Sequence, residues 1–154
     1  MTPVIRSESP DQPAILELIY ALNAELDLRY PEEGANHFRL DLAEVAPGRG
    51  AFLVAYVEGV PVGCGATRLN DPHTAEIKRM YVLPAWRGRG IAGVVLAALE
   101  EHAKALGARE LVLETGARQP ESLAVYRRSG FREIERFGDY VDSPLSLCMG
   151  KTLA

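Results

Sequence analysis

"YVLPAWRGRGIAGVV", residues 81 to 95, reads as the end of a strand, a turn and the opening of a helix. It contains Gly88-x-Gly90-x-x-Gly93, the glycine spacing of a dinucleotide-binding turn, and Glu114 lies downstream at a distance suited to a ribose contact. In such a turn the first glycine follows directly on a buried apolar strand. Here Pro84-Ala85-Trp86-Arg87 intervene. The preceding strand carries Glu76, Lys78 and Arg79, which suit a half-exposed antiparallel strand better than a central parallel one. Too little chain follows to complete a doubly wound sheet. The nicotinamide reading therefore gives way to a turn built for some other diphosphate.

The turn offers backbone N–H groups at a helix N-terminus, where the macrodipole favours negative charge. Gly88 and Gly90 allow a ligand to approach the backbone closely. Arg87 and Arg89 add guanidinium forks that match phosphate oxygens. A plain helix start with solvated arginines is the alternative that the turn by itself leaves open.

Outward from the turn, the remaining chain divides into short elements. A strand near Val4 to Arg6 precedes "SESPDQPAILELIYALNAEL", whose cap-type residues lead into apolar positions Ile15, Leu18, Ile19, Leu22 and Leu26 at helical spacing. A loop and a second short helix over Phe38 to Val45 follow. Two strands meet at Glu58-Gly59, a hairpin signal, and "NDPHT" turns the chain into the strand "AEIKRMYVLP", halted by Pro84. From Gly90 to Leu106, Ile91, Val94, Val95, Ala98, Leu99 and Leu106 form a helical stripe ended by Gly107. "ARELVLETG" is a strand, "QPESLAVYRRSG" a helix opened by Pro120, and "FREIERF" and "SPLSLCMGK" two closing strands. The order is strand, two helices, three strands, helix, strand, helix, two strands. It describes a mixed sheet with helices packed on it rather than a repeating βα array.

With 154 residues, the chain suits one domain with one core. A net charge of −4 argues against a nucleic-acid partner held mainly by phosphate contacts. Cys64 and Cys148, far apart in apolar stretches, read as buried small side chains, and neither they nor His73 and His102 have metal-ligand spacing. No apolar run approaches membrane-spanning length and the N-terminus lacks a signal pattern, so no membrane partner and a cytoplasmic location are expected.

Arg87-x-x-Gly90-x-Ala92, following "MYVLP", resembles the coenzyme A signature of the GCN5-related N-acetyltransferase (GNAT) superfamily. "AEIKRMYVLPAWRGRGIA" is similar to that family's fourth strand and pyrophosphate loop, and "SLAVYRRSGF" to its later helix. The resemblance covers most of the chain and agrees with the element order. It implies a single N-acetyltransferase domain over residues 1–154, of the α/β (α+β) class. Its mixed, mostly antiparallel sheet would have six to seven strands and about four helices, with the fourth and fifth strands splayed. It also implies acetyl-CoA as donor, no metal, and a primary amine of a small molecule, amino acid or peptide as acceptor. A non-catalytic acyl-CoA-binding domain on the same fold is the other functional class. Edge-strand homodimers are common among relatives, which leaves a second copy of the chain as a further partner.

By this resemblance, backbone groups of Met80, Tyr81 and Val82 bond the pantetheine arm, and the Val82 N–H polarises the thioester oxygen. Arg87, Gly88, Arg89, Gly90, Ile91 and Ala92 form the pyrophosphate loop. Gln119 and Ser122 also align with cofactor positions. Relatives often have asparagine and alanine there, and Gln119 brings its amide on a longer arm. Tyr126 falls where the family often has a tyrosine near the sulfur, with packing under Phe131 as the alternative. Glu76 lies eleven positions before Arg87, the spacing of a glutamate base in histone-acetylating members. A cross-strand ion pair with Lys78, Arg79 or a neighbour is its other reading. The acceptor side would draw on Tyr30, Glu32, Glu33 and His37 of the loop after the first helix, and on Tyr140 near the last strands. A solvated loop, and packing of Tyr140 on the sheet edge, are the alternatives.

Overall fold

The computed structural model describes residues 2–29, 42–116 and 120–153. Tyr30, Glu32, Glu33, His37 and Gln119 lie outside the described residues. Seven strands are present: β1 (Val4–Ser7), β2 (Gly50–Val57), β3 (Val60–Asp71), β4 (Thr74–Val82), β5 (Glu110–Gly116), β6 (Arg132–Ile134) and β7 (Ser146–Thr152). They form one sheet in the order β1-β2-β3-β4-β5-β7-β6, antiparallel at every pairing except β4–β5. Three α-helices are described: α1 (Pro13–Arg29), α2 (Ile91–Ala105) and α3 (Pro120–Arg128). Of the second short helix expected over Phe38 to Val45, the described part is a 3-10 turn, Leu42–Val45.

The β2–β3 hairpin turns at Glu58 and Gly59, with φ of 51° and 79°, the pair of positive angles that a two-residue hairpin turn requires. Alternation along the strands sends odd and even positions to opposite faces. On one face Ile15, Leu18, Leu22 and Leu26 of α1 cover Phe52, Val54, Cys64, Ala66 and Tyr81. On the other, α2 and α3 cover Leu53, Ile77, Leu111, Leu113 and Met149. The buried face of α2 runs through Ile91, Val95, Leu96, Leu99 and Ala103. Val94, expected in that stripe, is exposed. The helix is rotated toward Leu96, which leaves Val94 on its outer side.

The expectation that β4 is half-exposed is corrected. It is the fourth of seven strands, antiparallel to β3 on one side and parallel to β5 on the other. Its charged residues are inside: Glu76, Lys78 and Arg79 retain 2%, 8% and 9% of their exposure. Burying three ionisable groups on a central strand is costly unless partners or function offset it.

Candidate active site

The β4–β5 ladder is incomplete. Parallel pairing runs from Thr74–Glu110 to Ile77–Leu113 and stops, although β4 continues to Val82 and β5 to Gly116. The cause is a β-bulge. Between the pairs Cys64–Tyr81 and Ala66–Lys78, β4 has one residue more than β3. Arg79 sits in the left-handed region at φ 58°. A non-glycine residue there costs of order 1 kcal/mol or more, and bulges turn a strand away from its neighbour. Arg79 is held by its Nη1, which donates to Asn23 Oδ1 at 2.8 Å, and by its carbonyl, which accepts from Cys64 Sγ at 3.3 Å.

Beyond the bulge, Leu83 N–H donates to Val62 O at 2.9 Å. In an antiparallel ladder adjacent residues alternate in direction, so the N–H and C=O of Val82 face the gap on the β5 side. The Val82 carbonyl accepts from Arg87 Nε at 2.9 Å. Space for the Met80 side chain comes from Gly65 on β3, where a Cβ would lie 2.6 Å from Met80 Sδ.

The mouth of α2 stands at the end of this gap. Gly90, at φ 79°, is its N-cap and supplies no side-chain cap. Val94 N–H bonds Gly90 O at 3.2 Å, so Ile91, Ala92 and Gly93 carry N–H groups with no acceptor within the helix. A Cβ built at Gly88, Gly90 or Gly93 would meet no heavy atom within 4 Å. Open space before uncapped amides at a positive helix end fits a diphosphate. The Ile91 side chain itself is core, so its part is played by the backbone.

The two arginines diverge. Arg89 is exposed, its guanidinium 4.8 Å from the Trp86 ring centre. Arg87 turns back: Nη2 pairs with Glu25 Oε1 at 2.8 Å, and the guanidinium lies 5.5 Å from the Tyr81 ring centre. It ties the loop to α1 and holds the end of β4. A second tie across the cleft joins Arg29 at the end of α1 to Glu121 in the first turn of α3.

A cleft follows the parted strands. Lys78, Arg79 and Met80 of β4 face Glu114 and Thr115 of β5 across it. Ile77 of β4, Ser122 and Tyr126 of α3, Leu22 and Leu26 of α1, and Tyr140 complete the lining. Tyr126 is buried and meets Phe131 edge-on at 5.9 Å, so both its packing and its place beside the gap are real. Burial, then the charge of Glu114, raises its pKa and keeps the phenol protonated.

Behind Lys78 lies a polar knot. Glu76 Oε1 accepts from Asn70 Nδ2 at 3.0 Å and pairs with Arg68 Nη2 at 3.5 Å. Its Oε2 accepts from Tyr140 Oη at 2.9 Å. Arg68 also pairs with Glu44 at 2.7 Å. Tyr140 is thus neither loose nor packed on an edge: it reaches in from a 3-10 turn (Gly138–Tyr140) between β6 and β7. Burial, then the Glu76 charge, raises its pKa.

The cleft therefore brings together Met80, Ser122, Tyr126 and Tyr140, with Val82 beyond the last rung and Gly88 to Ala92 following it in the chain. Tyr81 packs in the α1-side core, while Glu76 stands behind, in the paired part of the ladder, and reaches the cleft through Tyr140. Sequence reasoning missed the roles of Lys78, Arg79 and Glu114 as cleft walls. Glu114, offered by the glycine-turn reading as a ribose ligand, is the first β5 residue past the last β4 rung. Its Oε2 accepts from Ser146 Oγ at 2.6 Å, and Ser146 Oγ is 2.9 Å from Ser143 Oγ. A glutamate directly after the aliphatic run Leu111 to Leu113 was the available signal.

A sequence profile of the Acetyltransferase (GNAT) family matches residues 16–131. An IAA acetyltransferase of Azospirillum brasilense is 43% identical over 150 residues, covering 97% of each chain. A proposed acyl-CoA N-acyltransferase of Klebsiella pneumoniae has a solved structure with TM-score 0.85 and 33% identity, covering 99% of this chain and 98% of that one. A GNAT family acetyltransferase of Elizabethkingia anophelis, solved with acetyl-CoA bound, shares the fold at TM-score 0.70 and 21% identity over 99% of both chains. With that family profile over most of its length and a 43% identical relative over 97% of it, the chain belongs to the GNAT family as an N-acetyltransferase.

Proposed function

We propose that this enzyme moves the acetyl group of acetyl-CoA directly to a primary amine of a small molecule, amino acid or peptide. The observation that carries the reading is the gap between β4 and β5, with the amide-lined mouth of α2 at its end and Tyr126 on its wall. Acetyl-CoA supplies an acetyl group already activated as a thioester.

Each residue then has one task. The N–H groups of Ile91, Ala92 and Gly93 bind the diphosphate, with Arg89 beside them. Backbone groups of Met80 to Val82 bond the pantetheine arm as a further strand would. The Val82 N–H polarises the thioester oxygen, a contribution on the order of 10²-fold in rate for an aimed donor. As the amine nitrogen bonds to the acetyl carbon and the carbon–sulfur bond breaks, the sulfur leaves as a thiolate whose charge the Tyr126 hydroxyl stabilises by donating a hydrogen bond. The amine proton passes to Tyr140 as Tyr140 delivers its own to Glu76, along the hydrogen bond already formed. Acid–base steps of this kind contribute roughly 10²–10⁴-fold.

The test is calorimetry with acetyl-CoA and with NADH, joined to a thiol-release screen over polyamines, amino acids, aminoglycosides and lysine peptides. Micromolar acetyl-CoA binding and thiol release with at least one amine are expected. Acetyl-CoA binding with no thiol release across the panel would leave only a binding domain.

A further inference from the structure

Arg87 is the first residue of the coenzyme signature, yet its guanidinium is engaged by three other groups. Nε donates to Val82 O at 2.9 Å, Nη2 donates to Glu25 Oε1 at 2.8 Å, and the guanidinium lies 5.5 Å from the Tyr81 ring centre. Glu25 belongs to α1, and Val82 and Tyr81 belong to β4, so two elements fix the group before any ligand arrives. The two charged side chains retain 32% and 25% of their exposure, which screens the pair less than one in open solvent.

The bond to Val82 matters because β4 has no rung to β5 beyond Ile77–Leu113. On its other side, Leu83 N–H donates to Val62 O at 2.9 Å. The peptide joining Val82 to Leu83 is thus held at both ends, its carbonyl by Arg87 and its N–H by β3. In an antiparallel strand the N–H and C=O of one residue point to the same side. Fixing the Val82 carbonyl therefore also aims the Val82 N–H, the donor assigned above to the thioester oxygen. The diphosphate has groups of its own: the N–H groups of Ile91, Ala92 and Gly93 at the α2 mouth, and the exposed Arg89.

We infer, on the acetyl-transfer reading above, that Glu25 and Arg87 form one positioning unit that aims the Val82 N–H, and that Arg87 is not a phosphate ligand. Glu25 has a definite task in this unit. An arriving diphosphate attracts a guanidinium, and the Glu25 carboxylate holds Arg87 on Val82 against that pull. The two roles of Arg87 differ in what the loss of Glu25 does. A phosphate ligand released from Glu25 would bind acetyl-CoA as tightly as before or tighter, with transfer unimpaired. A positioning residue that loses its anchor slows the transfer and leaves binding nearly unchanged.

The experiment compares Arg87→Ala, Glu25→Ala and the double variant by calorimetric affinity for acetyl-CoA and by thiol release in a single turnover. Enzyme and amine are saturating, and the amine is the one that turns over fastest in the screen above. Each single variant should slow the turnover about 10-fold, a part of the ~10²-fold that an aimed donor supplies, with affinity within about 3-fold. The double variant should be within about 2-fold of the slower single variant, because the two side chains act together. Circular dichroism reports folding. Should an alanine variant fail to fold, Arg87→Lys and Glu25→Gln carry the same expectation, since lysine lacks the fork that spans Val82 O and Glu25 and a neutral amide holds Arg87 weakly. An affinity loss of about 10-fold or more in Arg87→Ala, a Glu25→Ala enzyme with the wild-type rate, or rate losses that multiply in the double variant overturn the inference and leave acetyl transfer standing. A wild-type enzyme that binds acetyl-CoA and releases no thiol overturns both.

Discussion

Tyr140 Oη donates to Glu76 Oε2 at 2.9 Å, joining the turn between β6 and β7 to the central strand across the intervening β5. The two residues are 64 positions apart, and neither is exposed. The bond does two things. It satisfies one oxygen of a carboxylate that has almost no access to water, and it places a phenol of the cleft wall on the candidate base.

Breaking that bond separates its structural from its chemical part. Tyr140→Phe leaves a buried carboxylate oxygen short of a donor and should cost about 1–3 kcal/mol in urea unfolding. Glu76→Gln should cost at least as much, because it also removes the charge that pairs with Arg68. The double variant should show a coupling of about 0.5–3 kcal/mol, as for residues in one network. In turnover, both single variants should lose about 10²-fold or more in kcat with KM for acetyl-CoA nearly unchanged. A Glu76→Gln enzyme with a wild-type pH–rate profile would remove the proton path.

Tyr126 is buried, beside both Phe131 and the gap, so its two readings are separable only by deleting the hydroxyl. Tyr126→Phe keeps the ring and its edge contact. Turnover should fall about 10²-fold while calorimetric affinity for acetyl-CoA stays within about 2-fold. Equal losses of both, or of neither, would assign the ring to packing.

Much of this site can be read from the chain because its parts are local. The glycines, the arginines and the helix stripe lie within one run of residues, and the coenzyme signature needs only that run. Glu58-Gly59 is legible for the same reason: a two-residue turn carries its own backbone chemistry. What escapes is decided by pairing. Nothing in "EIKRM" tells that Arg79 adopts a positive φ, that the ladder to β5 ends at Ile77, or that Lys78 is buried. A central position looks improbable for three charged residues, since alternation with polar residues usually signals a solvated face. The partners that make it tolerable, Asn23, Arg68 and Tyr140, come from three separate elements. The direction of Arg87 was likewise hidden, because Glu25 lies 62 residues away.

Gly90 and Gly59 make a matched pair. Both have φ of 79°, and in both a Cβ would meet no heavy atom within 4 Å. Substitution by alanine should therefore cost the same backbone strain, about 1–2 kcal/mol at each position. Only Gly90 borders the helix mouth. Gly90→Ala should weaken acetyl-CoA binding by about 10-fold or more, as a methyl group enters the space before the amides. Gly59→Ala, on the β2–β3 hairpin, should leave it unchanged. Similar affinities in the two variants would move the diphosphate elsewhere.

The buried phenols set the alkaline limit of the fold. Burial is the largest cause of raised pKa values at Tyr126 and Tyr140, with the charges of Glu114 and Glu76 adding to it. Each group keeps its proton longer in the folded state than in the unfolded one. Below about pH 10 both states are protonated and the contribution to stability is complete. As pH climbs beyond that, the unfolded chain releases its protons first, and stability falls. Lys78 acts in the opposite sense: its lowered pKa means that the folded state gives up a proton early, so its burial penalty disappears as pH approaches about 10.4. The net expectation is a urea midpoint that drops steeply above about pH 10, less steeply in Tyr126→Phe and in Tyr140→Phe. Absorbance at the phenolate band should show these two tyrosines ionising only as circular dichroism reports unfolding. Should every one of the six tyrosines titrate near pH 10 in a chain that remains folded, the two phenols are in contact with water and the burial described above is wrong.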